Sequence, residues 1–123
     1  TPGTYPVVAG IARAGTGARV GAPVAILGYP LGTGTAGMQG SLNALRPSAS
    51  LSVGTIGKLV PETLQLDAFA AQGSSGSPVF DQRGFVVGVI YGGVDESGGR
   101  IVYAVPAARL ASQIPTDARG ILR

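Results

Sequence analysis

Apolar residues recur along the chain in short runs rather than at helical spacing. The runs fall at 23–29 (PVAILGY), 51–60 (LSVGTIGKLV), 64–68 (LQLDA), 77–81 (SPVFD), 85–91 (FVVGVIY) and 101–105 (IVYAV), each bounded by Gly, Pro, Ser or Asp. Alternating or short continuous apolar runs between such breakers predict β-strands. Gly84 after Asp81-Gln82-Arg83 is a hairpin signal, and 95–99 (DESGG) is a second turn, so 77–105 reads as an antiparallel meander. One helix is predicted. It starts at Pro106, whose fixed φ suits a first turn, carries Ala107, Leu110, Ala111 and Ile114 on one face, and stops at Pro115.

Six closely spaced strands with abundant glycine predict an all-β fold, a single six-stranded antiparallel β-barrel with a short C-terminal helix. Closure removes exposed edges, and glycine relieves tight corners. A β-sandwich is the alternative architecture. Residues 1–20 read as a connector, 21–106 as the barrel and 107–123 as helix and tail. Residues 31–49 form a weakly patterned segment longer than a plain turn.

Composition narrows the chemistry. A chain of 123 residues fits one domain with a real core, and 45% apolar against 12% charged residues excludes a disordered chain. The net charge of +3 comes from scattered Arg and Lys with no basic run, which argues against nucleic acid as a partner. There is no cysteine and no histidine, so disulfides, thiol catalysis and zinc-thiolate sites are excluded, and neither a metal nor another cofactor is expected. The glycines of 32–37 (GTGTAG) lack the Gly-Lys-Ser/Thr and following helix of a phosphate loop.

Gly73-Ser74-Ser75-Gly76-Ser77-Pro78 has the makings of an acyl-transfer site: glycines allow a sharp turn that leaves N–H groups pointing at one spot beside a serine hydroxyl. By itself such a hexapeptide is more often a plain turn. Its surroundings sharpen the reading. Residues 20–32 (VGAPVAILGYPLG), Leu66-Asp67-Ala68 followed by 73–78, 84–93 (GFVVGVIYGG) and 102–106 (VYAVP) together resemble the second barrel of the trypsin/chymotrypsin fold, in its bacterial HtrA/DegP-like or MarP-like branch. The serine segment is similar to that branch's "TDA…GNSGGP" loop, and the last segment to its "GFAIP" strand.

The resemblance implies a serine endopeptidase acting on protein or peptide substrates. It makes Ser75 the nucleophile, places Gly73, Ser74 and Ser75 at the oxyanion hole, and walls a specificity pocket with Ala71, Gln72, Tyr91, Gly92, Gly93 and Ile101. Ile101 at the pocket bottom favours small or medium apolar side chains, although core packing accounts for it equally well. The backbone at Gly92 and Gly93 would accept a substrate strand by β-addition. Ser77 stands where the family usually carries a second glycine, and Ser74 where Asp or Asn is common.

The family's general base and its carboxylate partner lie on an N-terminal barrel that no segment here matches. The chain therefore reads as half of a two-barrel protease, with that barrel as a partner and no catalysis expected from this half alone, since an unassisted serine is a weak nucleophile. The parent's location is expected to be periplasmic, secreted or membrane-tethered. Lys58 and Asp67 are poor substitutes for a base: the first reads as an exposed turn lysine, the second as a loop anchor. A dimer of the isolated half through the face left by the missing barrel is also expected. The alternative function is a non-catalytic barrel that binds peptides through the same groove.

Overall fold

The computed structural model describes residues 9–12, 18–28, 49–69, 74–94, 98 and 100–117. Seven strands form in chain order: β1 (Gly10–Ile11), β2 (Pro23–Gly28), β3 (Ser50–Val60), β4 (Thr63–Asp67), β5 (Pro78–Phe80), β6 (Phe85–Gly93) and β7 (Ile101–Pro106). Their order is β1-β6-β5-β2-β3-β4-β7, and β6 also pairs with β7. That last pairing closes β2–β7 into a six-stranded antiparallel barrel, as the strand pattern predicted. β1 is the addition. It lies parallel to β6 at Phe85 and Val86 and so extends the wall where β7 does not reach.

Period-two alternation builds the core. Val24 and Ile26 of β2, Leu64 and Leu66 of β4, and Val102 and Ala104 of β7 all point inward and are buried, as are Val79 of β5 and Ile56 of β3. Ala12, just after β1, joins them, so the stretch read as a connector contributes to the core. The meander 77–105 is present as β5–β6–β7, with irregularities in register at Val79/Phe80 and at Ile90/Gly92. The second of these lets β6 run on through Gly92 and Gly93, two residues beyond the apolar run.

The single predicted helix is shorter than its sequence suggests. Pro106 ends β7 in extended backbone, α1 spans Ala107–Leu110, and Ala111–Gln113 tightens into a 3-10 turn. Ile114 is already extended (φ −83°, ψ 127°) because the following Pro115 disfavours the helical region for its predecessor. Too few residues remain between the two prolines for a longer ladder.

The β5–β6 hairpin is locked by Asp81, which is buried. Its Oδ1 accepts the N–H groups of Arg83 (2.8 Å) and Phe85 (3.0 Å), and its Oδ2 accepts Arg83 Nη2 at 2.9 Å. The Arg83 guanidinium also sits 4.4 Å above the Phe85 ring centroid. Burial alone would raise the Asp81 pKa. The Phe85 and Arg83 donors outweigh it and leave the group below the ordinary 3.8. A carboxyl lowered by folding stabilises the native state above its unfolded pKa and loses that contribution as pH falls through its folded value. Asp81→Asn should therefore cost about 1–3 kcal/mol at neutral pH. In urea melts over a pH series, the gap between the variant and the wild type should close as the pH falls below about 4; a constant gap would contradict the assignment.

The outer face of β2 and β3 is apolar. Leu27 lies opposite Leu51 and Ala25 opposite Val53, and Leu51 (67%) and Val53 (73%) are among the most exposed large apolar residues described.

Candidate active site at the Ser74–Ser77 turn

Ser75 projects from a four-residue turn. The Ser77 N–H donates to the Ser74 carbonyl (3.0 Å), and Gly76, third in the turn, has φ +90°. A positive φ at that position is the signature of a type II turn, and glycine takes it without strain. Two more hydrogen bonds tie the turn to the barrel wall: Gly76 N–H to Ile90 O at 2.7 Å, and Ile90 N–H to Ser77 O at 2.9 Å. The chain thus enters β5 already paired with β6. Ser74 and Ser77 turn inward and are buried at 5% and 7% exposure, while Ser75 between them is exposed. Neither the N–H nor the hydroxyl of Ser75 is engaged by another described residue.

The serine at position 77 has a counterpart across the barrel. A Cβ built on Gly28 at the end of β2 would overlap Ser77 Oγ, so the Ser77 side chain occupies room left by Gly28. Nothing local in either segment signals this pairing. Ser77 Oγ and Gly28 act as one volume.

Of the residues expected around the serine, Tyr91, Gly92, Gly93 and Ile101 are described, and Ala71, Gln72 and Gly73 lie outside the described residues. β6 and β7 bring the first four together: Ile101 O accepts from Val94 N–H at 3.0 Å, and a Cβ on Gly93 would approach that same carbonyl to 2.8 Å. Past Ile90, the side of β6 that faces away from β7 meets no strand among the described residues. Tyr91 is half exposed. Its ring stacks on Tyr103 (centroids 6.2 Å apart), and its hydroxyl hydrogen-bonds Thr63 Oγ1 at 3.0 Å. Thr63 gave no sign of this role in the sequence, because the contact crosses from the start of β4 over β7.

Lys58 is exposed on β3 opposite Gln65, and no described hydrogen bond or ion pair links it to the serine turn. Asp67 accepts Arg100 Nη2 at 3.1 Å, with both side chains largely exposed. Such a pair anchors the start of β7 at little energetic gain.

Residues 2–89 match the family described as Trypsin-like peptidase domain. The chain belongs to the trypsin-like peptidase family. Three solved structures share its fold. The active form of the Rv3671c protease from M. tuberculosis aligns with a TM-score of 0.64 at 22% identity, over 92% of this chain and 49% of that one. An inactive form of the same protease, a serine-to-alanine mutant, gives 0.64 at 21% identity, over 84% and 50%. The serine endoprotease from Yersinia pestis gives 0.63 at 21% identity, over 90% and 35%. This chain spans half or less of the length of these three protease chains.

Two substitutions separate space from backbone strain at this turn. Gly76→Ala meets open space but forces a Cβ into the left-handed region, and should cost about 1–2 kcal/mol. Gly28→Ala should cost about 1–3 kcal/mol by overpacking against Ser77. Adding Ser77→Gly should recover most of the second cost and none of the first. A double-mutant cycle by denaturant unfolding measures this, and additive effects for residues 28 and 77 would refute the shared volume.

Proposed function

We propose that this chain is the nucleophile-bearing barrel of a trypsin-like serine endopeptidase and that Ser75 is the attacking residue. The observation that carries the reading is the exposed Ser75, unengaged among the described residues, at the apex of a turn pinned to β6, in a chain of the trypsin-like peptidase family. An extended substrate pairs with the open edge of β6 at Tyr91–Gly93, which brings a scissile carbonyl toward the Ser75 hydroxyl. Ser75 Oγ attacks the carbonyl carbon as its proton passes to a general base, and the carbonyl oxygen becomes an oxyanion. The N–H groups of Ser75 and Gly73, with Ser74 between them, receive that charge. Collapse of the intermediate expels the amine with a proton returned by the base, and water then repeats the attack on the acyl-enzyme.

The base is not in this chain, which has no histidine. It belongs to an N-terminal barrel of the same parent protein, and residues 1–20, of which 10–12 also serve this barrel's wall and core, form the connector to it. Without that barrel the chain is silent: removal of a triad member from a worked protease leaves only about 10³–10⁴ over the uncatalysed reaction. Ala71, Gln72, Tyr91, Gly92, Gly93 and Ile101 form the specificity pocket, which suits small or medium apolar side chains. The exposed apolar face of β2 and β3 makes the isolated chain prone to dimerise. A clean monomer on size-exclusion chromatography at high concentration would count against that last point.

A second reading is supported by Ser74 and Ser77 in place of the residues usual in the family: a barrel that binds peptides along β6 without cleaving them. A fluorophosphonate probe distinguishes the two. The enzyme reading expects an adduct on Ser75 in a protein that carries both barrels, lost in Ser75→Ala and absent from this chain alone. A folded two-barrel protein that leaves Ser75 unlabelled, yet still binds extended peptides, would establish the second reading instead.

A further inference from the structure

Beside the serine turn, on the side away from β6, lies a pocket of about 210 Å³. Its walls are Ile26 and Gly28 at the end of β2, 50–52 (SLS) at the start of β3, Phe69, and Ser74. We propose that this pocket is a binding site for a neutral single-ring aromatic molecule bearing one hydroxyl group, separate from the substrate edge at Tyr91–Gly93.

Volume, lining and charge converge on that class. An apolar cavity of about 150 Å³ accommodates benzene, so this one has room for a ring with a short substituent. Ile26 and Phe69 supply the apolar contact, and the Phe69 ring favours an aromatic partner over an alkyl group of equal size. Ser50, Ser52 and Ser74 add hydroxyl-bearing side chains to the same lining; the Ser52 hydroxyl donates to the Phe69 carbonyl at 2.9 Å, which fixes the wall on that side. No ionisable side chain lines the pocket among the described residues, so a charged ligand would be desolvated there without compensation.

The site also touches the turn. Ser74 belongs to both, as pocket wall and as acceptor of the Ser77 N–H that closes the turn around Ser75. A ring seated against Ser74 therefore favours one arrangement of the Ser74–Ser77 backbone, and that arrangement in turn favours the ring. The site stands independently of whether Ser75 is a nucleophile.

The test is a titration of the ¹⁵N-labelled chain with benzyl alcohol, followed by amide chemical shifts. Saturable shifts are expected at Gly28, Leu51, Ser52, Phe69, Ser74 and Ser75, with a dissociation constant on the order of 1 mM for so few heavy atoms. Benzoate has the same ring with a charge and should bind at least about tenfold more weakly. Ser52→Asp puts a carboxylate on the lining beside Ile26 and should abolish the saturable shifts, and Phe69→Ala should weaken them several-fold while the spectrum stays dispersed. Non-saturating shifts, shifts centred on Tyr91–Gly93, equal binding of benzoate, or wild-type binding by folded Ser52→Asp would each overturn the proposal.

Discussion

The reciprocal hydrogen bonds between Ile90 and the Gly76–Ser77 segment are the constraint on which the rest of the site depends. They convert a short Gly/Ser-rich loop, which on its own would sample many conformations, into a continuation of the β5–β6 ladder. Once Ile90 holds Gly76 and Ser77, the positive φ of Gly76 leaves little choice about the direction of Ser75. The same residue marks where β6 parts from β5, so one point in the barrel wall both orients the serine and begins the edge of β6 that meets no other strand among the described residues. Ile90 is itself buried and faces the core across from β7, which makes the turn as firm as the barrel that carries it.

Inward-facing serines flank the exposed one, and each is placed by what it faces across the barrel. At position 77 the side chain fits because the facing strand β2 ends in a residue without a Cβ. At position 74 a neutral hydroxyl adjoins the pocket, whose described lining carries no charge. Both serines stood out in the sequence, but what faces each of them across the barrel did not.

The barrel was legible because its signal is local. Each strand has its own alternation, and Gly84, with φ +83°, turns the β5–β6 hairpin where the sequence placed it. β1 escaped because two residues cannot display a period of two, and its parallel pairing with β6 joins segments far apart in the chain. β6 continues past Tyr91 into two glycines, poor strand formers by composition, because β7 supplies partners through an irregular register that no local pattern encodes. The helix was overextended for a different reason: apolar spacing up to Ile114 is compatible with a helix, but Pro115 acts on the backbone of the residue before it. For the site, the serine turn could be read from composition and resemblance, whereas the Gly28–Ser77 contact, the Thr63–Tyr91 hydrogen bond and the pocket under Ser74 arise from strand neighbours remote in sequence.

The division of labour in the proposed enzyme follows from what this barrel can and cannot hold. Backbone donors and an exposed hydroxyl can be positioned by one sheet, because a turn pinned to a strand fixes both at once. A base must approach that hydroxyl from the open side of the turn, and the described residues place no ionisable group there that is tied to Ser75. Catalysis then depends on how a second body docks, and a displacement of about 1 Å at such a junction can cost on the order of 10²-fold in rate. Rigidity at the Ile90 tie is useful only if the docking is equally firm. The exposed apolar face of β2 and β3 offers one surface from which such firmness could come, since burying Leu51 and Val53 would stabilise an association by about 25 cal/mol for each Å² removed from water before the entropic cost of docking is met.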